Sequence, residues 1–298
     1  MHQPTPGLPE FDYIKPATVE EASRFLADHS GEARALLGGT DTFVRMRDGV
    51  WKEKFLVDVK GLAGMKEVSF DPQQGLRIGA AVNMNRIIAS SDVNLHLPVL
   101  AQAARTVASH QLRSRATIVG NVCNASPAGD TIGACIVLGG VLHVFGVDGE
   151  RNEPLDGFFL APGKTKLAPG DVAMAISFPI PPKDHVAKYI KLGRNAVSDL
   201  AIVGVTALGY PDQTADSGYR FRLALASVAP VPLVPKTAEQ ILAERPLTLE
   251  SIDAAADAAQ ACAVPISDAR GSARYRKLMV RNLTRKVVSD VWQELRSR

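Results

Sequence analysis

The sequence predicts a protein that mixes helices and strands in two domains, and three observations predict this. Residues 11 to about 60 alternate short strands with a helix, and residues 64–178 hold short strands punctuated by glycine. After Pro179-Ile180-Pro181-Pro182, three strand-like runs precede two helices; consecutive prolines cannot continue a helix or a central strand. The predicted divisions are a flexible tail at 1–10, a first domain at 11–178 with parts at about 11–60 and 61–178, and a second domain at 183–298.

The first part opens with a helix signal. Thr18 and Glu21 have the spacing of a capping box, which predicts a helix that ends near Gly31. The mostly apolar runs at 33–37 and 55–59 predict two short strands, the first of which leads into Gly38-Gly39. This part is therefore predicted to have a β/α rhythm.

The middle of the chain predicts three strands, one helix and one loop. The strands are at 75–80, 141–145 and 172–176. Apolar residues on one face predict the helix at 98–108, and the small and polar residues of 110–130 predict a loop after it.

The last part predicts three strands followed by two helices. The strands are at 187–192, 201–208 and 219–228, and the helices are at 249–263 and 274–295. Residues spaced four apart predict the buried stripe of the last helix, namely Tyr275, Met279, Leu283, Val287, Val291 and Leu295.

Charge and hydropathy exclude several classes of partner. The 34 basic and 31 acidic residues leave a net charge of only +3, too even for nucleic acid or an anionic membrane surface as the main partner. The longest apolar stretch, 135–147, is shorter than the roughly 20 residues of a membrane span. The N-terminus lacks the pattern of a signal peptide, and three cysteines agree with a reducing compartment, so we expect a cytoplasmic protein.

The segment Gly38-Gly39-Thr40-Asp41 follows a predicted strand and has two interpretations. Two glycines can turn successive N–H groups toward one point, which is how backbone binds a phosphate. The same residues also form ordinary turns that end in an N-cap. No G-x-G-x-x-G fingerprint or P-loop is present, so a nucleotide would be held in another way.

A second cluster of small, hydroxyl and amide residues occupies 117–130. Such a stretch lets backbone approach a ligand closely, but it is equally typical of a long connecting loop. The cysteines and histidines lack the spacing of metal ligands, and no G-x-S-x-G elbow supports a hydrolase. We therefore expect no metal site and assign no catalytic residue.

Taken together, these stretches resemble the FAD-binding medium subunit of the molybdenum hydroxylases, the family of xanthine dehydrogenase and aerobic carbon monoxide dehydrogenase. The resemblance covers 11 to about 295 and rests on five stretches in the same order. They are Phe11-Asp12-Tyr13 with Pro16; Leu36-Leu37-Gly38-Gly39-Thr40-Asp41; Arg113 with Thr117-Ile118-Val119-Gly120-Asn121 and Ser126-Pro127…Asp130; Lys191-Leu192-Gly193-Arg194 with Asp199-Leu200-Ala201; and Arg270-Gly271-Ser272-Ala273-Arg274-Tyr275-Arg276.

The resemblance implies an α+β fold: a two-part FAD-binding domain related to vanillyl-alcohol oxidase, then a C-terminal domain with a three-stranded antiparallel sheet and helices. It also implies that Lys191 places a cation near the flavin, which would stabilise the anionic reduced form of the flavin. The implied FAD-binding residues are Leu36, Leu37, Gly38, Gly39, Thr40, Asp41, Thr42, Thr117, Ile118, Gly120, Asn121, Ser126, Asp130, Met174 and Lys191.

The chain departs from the family pattern at two positions. Val119 replaces the first glycine of T-I-G-G-N, and because a β-branched residue is poorly suited to positive φ, we expect extended backbone there. Asn195 replaces the second arginine of G-R-R, so no contact is carried over to it. The branch that reduces 4-hydroxybenzoyl-CoA has a cysteine-rich insertion, which this chain lacks.

The resemblance implies a role in electron transfer. A large molybdenum-cofactor subunit would oxidise the substrate, a small subunit with two iron–sulfur clusters would relay electrons, and FAD in this chain would pass them to an acceptor. The assembly would be a heterotrimer or a dimer of heterotrimers. The alternatives are a stand-alone flavoprotein oxidoreductase with its own substrate pocket and a scaffold protein that has lost the cofactor.

Overall fold

The computed structural model describes residues 7–195 and 198–298, so residues 1–6 of the predicted tail lie outside the described residues. The described residues form thirteen strands and eleven helices. The strands are β1 (Asp12–Ile14), β2 (Ala33–Leu36), β3 (Phe55–Asp58), β4 (Val68–Asp71), β5 (Gly75–Gly79), β6 (Val141–Gly146), β7 (Gly149–Pro154), β8 (Phe159–Ala161), β9 (Lys164–Thr165), β10 (Val172–Phe178), β11 (Val186–Leu192), β12 (Val203–Pro211) and β13 (Tyr219–Ala226). The helices are α1 (Val19–Asp28), α2 (Thr42–Arg47), α3 (Met84–Ala89), α4 (Ser91–His96), α5 (Pro98–Arg105), α6 (His110–Arg113), α7 (Ile118–Asn124), α8 (Ile132–Val137), α9 (Lys236–Glu244), α10 (Leu249–Cys262) and α11 (Ala273–Arg296).

The first part forms a small parallel sheet of order β1-β3-β2. Parallel neighbours need crossover connections, which α1 and α2 provide. Thr18 is the N-cap of α1 and accepts a hydrogen bond from the N–H of Glu21 (3.2 Å), while the Glu21 carboxylate accepts one from the N–H of Ala17 (2.7 Å). The predicted helix start and the predicted β/α rhythm are thus both confirmed.

The middle of the chain forms an antiparallel sheet of order β4-β5-β10-β6-β7. The three strands predicted from sequence, β5, β6 and β10, are its central strands. β10 pairs with both of the others, and most of its residues are buried. The two edge strands of this sheet, β4 and β7, alternate half-buried and exposed residues and have no fully buried residue. Their sequences therefore lack the apolar run that predicts a strand.

Six short helices, α3 to α8, connect β5 to β6. The predicted helix at 98–108 is present as α5 and ends at Arg105. The prediction of a loop over 110–130 is wrong in part, because α6 and α7 lie within it. The Thr117 hydroxyl caps α7 by accepting a hydrogen bond from the N–H of Gly120 (2.9 Å).

The expectation of extended backbone at Val119 is also wrong. Val119 lies in the first turn of α7 and is almost fully buried, as are Ile118 and Val122. Helical φ is negative, so a β-branched side chain fits without strain, and burial in the core outweighs the weak helix preference of valine.

The last part forms the predicted three-stranded antiparallel sheet, of order β11-β12-β13; α11 packs against this sheet, and α10 packs against α11. Helix α9 was not predicted. It follows Pro235 and has no side-chain cap, so the usual start signal is missing, yet it buries Ala238 and Leu242.

The predicted stripe of α11 is correct except at its first residue, because Met279 and Leu283 are partly buried and pack against the core under the last sheet. Val287, Val291 and Leu295 are buried, but Tyr275 is 41% exposed and Arg276 is buried in its place. The Arg276 guanidinium donates hydrogen bonds to the carbonyls of Ile202 and Ser227, next to the ends of β12 and β13, so the buried position at this end of the helix is 276 rather than 275.

The main hydrophobic core is shared between the two halves of the chain. It fills the space between the middle sheet and α3 to α8, and it includes Tyr189, Leu208 and Ala224 from the last sheet. A second core lies between the last sheet and α9 to α11. The domain boundary at 178–183 stays a prediction. Among the described residues, no helix combines the length and the apolar character that a membrane span requires.

Candidate functional site

A cavity of about 800 Å³ lies where the parallel sheet, the short helices and the loop between β11 and β12 meet. Its size is in the range of cofactor-binding clefts. Its wall comes from parts of five segments of the chain and from two further residues, namely 34–51, 107–130, 160–167, 171–173 and 198–200 with Val59 and Met84.

The first wall is the loop that connects β2 to α2. A Cβ added to Gly38 would lie 2.2 Å from the carbonyl oxygen of Arg115, so the backbones of two loops touch where only glycine fits. Gly39 has a φ of +73°, in the left-handed region. Among the described residues, the N–H groups of Gly39, Thr40 and Asp41 donate no hydrogen bond. Unpaired N–H groups in such a turn are what an anion nest requires.

Asp41 argues against the simpler interpretation of this loop as a turn that ends in an N-cap. It holds the N-cap position of α2, but its side chain caps nothing. Its carboxylate instead accepts a hydrogen bond from the Asn124 side-chain amide (2.8 Å), which joins the loop to α7 across 83 residues. The geometry therefore favours the anion-nest interpretation.

The second wall is α7, which presents Thr117, Gly120 and Asn121 to the cavity. A Cβ added to Gly120 would lie 2.8 Å from Thr117 Oγ1 and 4.0 Å from Leu37 Cδ1. The absence of a side chain there keeps the gap between α7 and the first loop open. The two glycine-containing stretches that the sequence singled out thus face each other across one cavity.

The third wall contains a buried polar cluster. Asp130 accepts a hydrogen bond from the Tyr189 hydroxyl at Oδ1 (2.6 Å) and another from the Lys191 ammonium at Oδ2 (2.8 Å). The Asp130 and Lys191 side chains are 7% and 11% exposed, and Lys191 also donates to the Thr106 carbonyl (3.0 Å). Burial raises the pKa of Asp130, while Lys191 and Tyr189 oppose that rise; burial also raises the pKa of Tyr189 well above its ordinary value.

The last part of the chain contributes a wall at 198–200. The Asp199 carboxylate accepts hydrogen bonds from the N–H groups of Arg194 (2.6 Å) and Asn195 (3.3 Å), and the bond from Arg194 is the main cause of its lowered pKa. Just after this wall, the buried Arg276 guanidinium donates to the Ile202 carbonyl (2.7 Å). Arg276 therefore holds the end of the wall in place from α11.

Eleven of the fifteen residues predicted to bind FAD lie in the wall of this cavity, and four do not. Contact between FAD and any of the fifteen stays a prediction. The eleven are Leu37, Gly38, Gly39, Thr40, Asp41, Thr42, Thr117, Gly120, Asn121, Ser126 and Asp130. The four are Leu36 and Ile118, which are buried in the core; Met174, which packs against the core and whose carbonyl accepts from the Ala80 N–H (2.9 Å); and Lys191, which lies behind Asp130.

Several wall residues were missed by the sequence argument. Val107 and Ala108 form a turn in which Ala108 has a φ of +41°, and Arg113 donates to both carbonyls (2.8 and 3.0 Å). Leu160 and Lys164 come from the hairpin of β8 and β9. None of these has a motif of its own, because their place depends on tertiary packing.

A further group of missed residues surrounds Trp51, at the end of the cavity near α2. The Arg34 guanidinium carbon lies 3.6 Å from the centre of the Trp51 ring, and that of Arg45 lies 5.0 Å from it. Arg34 also donates to the Glu53 carboxylate through Nε (2.7 Å).

The residues present fit a cofactor with a pyrophosphate. Two glycines keep the backbone close, unpaired N–H groups face one end, and the wall mixes apolar side chains with few unpaired charges. Among the described residues, no group of three His, Cys, Asp or Glu side chains could hold a metal ion.

Family models and curated relatives agree with this geometry. Residues 9–181 match the family described as the FAD binding domain in molybdopterin dehydrogenase, and residues 188–291 match the CO dehydrogenase flavoprotein C-terminal domain. The xanthine dehydrogenase FAD-binding subunit of Escherichia coli O157:H7 is 30% identical over 279 residues, which cover 93% of this chain and 94% of the relative. The carbon monoxide dehydrogenase medium chain of Hydrogenophaga pseudoflava is 30% identical over 284 residues, 95% of this chain and 98% of the relative.

Solved structures give the same result. A chain of the carbon monoxide dehydrogenase from Hydrogenophaga pseudoflava, in a form that lacks the Mo-pyranopterin moiety of its cofactor, has a TM-score of 0.91 at 30% identity. The match covers 96% of this chain and 99% of that chain. These findings confirm the resemblance and the fold class that it implies.

Proposed function

The chain belongs to the family of FAD-binding subunits of molybdenum-containing dehydrogenases, and we propose that it passes electrons from iron–sulfur clusters in a partner subunit, through bound FAD, to an external acceptor. The chain is an oxidoreductase subunit with an FAD-binding domain, as the sequence predicted. The observation that carries the proposal is the meeting of the loop 37–42 with α7 across a cofactor-sized cavity.

The residues of the chain would bind and orient the cofactor. The N–H groups of Gly39, Thr40 and Asp41 would neutralise the pyrophosphate, and Thr117 would hold α7 at the distance that this requires. Bound FAD supplies the ability to accept and release electrons. The charges of Asp130 and Lys191 lie beside the cavity, where they act on that ability through space.

The substrate would be oxidised elsewhere in the assembly. Relatives are named as subunits of xanthine dehydrogenase, carbon monoxide dehydrogenase and a nicotine 6-hydroxylase, so one type of flavin subunit serves different substrates. The structure on which this chain superposes belongs to an enzyme with a molybdenum cofactor. We therefore propose a large molybdenum subunit and a small subunit with two iron–sulfur clusters as partners, in a cytoplasmic heterotrimer or a dimer of heterotrimers.

Isolation of the tagged full chain from its native cells tests the proposal. We expect molybdenum, iron and two further polypeptides to co-purify with it, and the flavin to bleach under anaerobic conditions when the substrate of the molybdenum subunit is added. A chain that purifies without metal or partners, yet whose flavin bleaches with an organic substrate, would instead be a stand-alone flavoprotein. A chain that takes up no flavin would be the scaffold protein.

A further inference from the structure

We propose that Arg45 is the cation that binds the pyrophosphate of FAD, with Trp51 holding its guanidinium in place. The inference rests on the proposed function, since it concerns the same cavity. It assigns a charge to a site whose other predicted contacts are neutral backbone N–H groups.

Three cationic side chains of the described residues line the cavity, and only one suits this role. Arg34 already pairs with Glu53, whose side chain is 10% exposed. Lys164 is exposed on the hairpin of β8 and β9. Arg45 is half-buried, and within the described ranges no acidic oxygen lies within 4.0 Å of it.

Helix spacing places Arg45 on the side of the anion-binding loop. It lies three residues after Thr42 on α2, and residues three apart share a helix face. Both line the cavity, whereas Met46 is buried in the core and Val44 is exposed away from it. The two acids nearest in sequence leave Arg45 unpaired: no oxygen of Asp48, three residues later, lies within 4.0 Å of it among the described residues, and Asp41, four residues earlier, is exposed and bonded to Asn124.

The turn after α2 explains how the guanidinium is held. The N–H groups of Val50 and Trp51 both donate to the carbonyl of Arg45 (2.9 and 3.2 Å). This folds the chain back so that the Trp51 ring lies 5.0 Å from the Arg45 guanidinium carbon. A cation over an aromatic face is favourable, and it leaves the N–H donors of the guanidinium available to a ligand.

The chemistry of the ligand follows from this arrangement. An arginine stays charged at every accessible pH, and a half-buried charge without a counter-ion is unfavourable unless a ligand supplies one. A pyrophosphate carries negative charge on both phosphates and accepts the planar, forked donors of arginine. Neutral backbone donors in the loop 38–42 and one cation from α2 together match such a group.

The test compares Arg45→Gln with Arg296→Gln in the flavin-free full chain. Arg296 is a matched control, because its guanidinium carbon also lies 5.0 Å from a tryptophan ring, that of Trp292, but on α11 and away from the cavity. Fluorescence titrations measure the affinity for FAD and for riboflavin, which has no phosphate. We expect Arg45→Gln to weaken FAD binding about tenfold to a hundredfold, the range for hydrogen bonds to charged groups, and to leave riboflavin binding unchanged.

Two further measurements test whether the charge of Arg45 is what binds FAD. Arg45→Lys keeps the charge and should regain most of the FAD affinity that Arg45→Gln loses. Affinity for FAD should also depend less on salt in Arg45→Gln than in the wild type. Equal FAD affinity in Arg45→Gln and wild type, or an equal loss for riboflavin, would overturn the role of Arg45. A wild-type chain that binds no FAD, both alone and in the assembly isolated from its native cells, would instead overturn the proposed function.

Discussion

The ammonium of Lys191 lies 2.8 Å from Oδ2 of Asp130, which precedes it by 61 residues, and both side chains are nearly buried. One partner comes from the loop before α8 and the other from β11, so the pair joins the two halves of the chain beside the cavity. The cation that the resemblance implies near the flavin is therefore half of an ion pair.

Removal of one partner should destabilise the protein strongly. Lys191→Met leaves the buried Asp130 carboxylate without a counter-ion, a change that costs about 3 kcal/mol in typical proteins. The double variant Lys191→Met/Asp130→Asn should be less destabilised than the sum of the single variants. Urea unfolding of all four proteins measures the coupling, and strictly additive losses would contradict the pairing.

The loss in Lys191→Met should also depend on pH. Burial raises the pKa of Asp130, and Lys191 opposes that rise, so the variant should raise the pKa further. A raised folded-state pKa gives stability that is present below the unfolded pKa and is lost as pH rises through the folded value. The free energy of unfolding of the variant should therefore approach that of the wild type at low pH, and the difference between the two should grow as pH rises. The comparison runs from pH 4 to 8, because the ordinary pKa of Asp is about 4. A difference in stability between variant and wild type that is constant over this range would contradict the prediction.

The same pair should shift the reduction potential of bound FAD in opposite directions. A nearby cation favours the state with added electrons and a nearby anion disfavours it. Lys191→Met should therefore lower the potential, and Asp130→Asn should raise it. Anaerobic redox titration of the FAD-loaded variants checks this. Unchanged potentials in variants that still bind FAD would show that Lys191 does not affect the reduction potential of the flavin.

Gly38→Ala should weaken FAD binding and destabilise the chain. Its Cβ would lie 2.2 Å from a backbone oxygen of Arg115, so one of the two loops must move, at a cost of about 1–3 kcal/mol. Gly61→Ala is the control, because nothing lies within 4 Å of a Cβ there and its φ is not positive. Thermal melts and FAD titrations should give a lower melting temperature and a weaker FAD affinity for Gly38→Ala than for Gly61→Ala. Equal values in the two variants would mean that the loops do not touch.

Asp268 should contribute stability that is lost in acid. Hydrogen bonds, first from the Arg270 N–H and then from the Arg276 side chain, lower the pKa of Asp268 to about 2. A lowered pKa gives stability that is present above the unfolded pKa of about 4 and is lost as pH falls toward the folded value. Asp268→Asn should therefore lose less stability than wild type between pH 6 and about 3.5, as urea midpoints would show. Parallel losses in both proteins would contradict this role.

The sequence was most informative where backbone conformation restricts residue type. Gly38 and Gly39 are needed for a close contact and a positive φ, and Thr18 is a helix cap, so each leaves a local signal. The central strands β5, β6 and β10 were predictable because each buries at least every second residue, which leaves a run of apolar residues in the sequence.

The parts that sequence reasoning missed depend on contacts between distant residues. The expectation of extended backbone at Val119 follows from φ alone, whereas its helical conformation depends on the core that it fills. Four-residue spacing predicts Tyr275 on the buried face of α11, but Arg276 is buried there instead, and a buried arginine has no sequence signal because arginine is mostly exposed. Arg45 and Trp51 belong to no motif, and only the turn that follows α2 brings them together at the cavity.

The visible absorption spectrum of the purified full chain, before and after addition of FAD, is the decisive test of whether this chain binds FAD. We predict a flavin spectrum, and the released cofactor should be FAD by chromatography, at one FAD per chain. A chain that stays colourless after FAD is added, both alone and in the assembly isolated from its native cells, would contradict it.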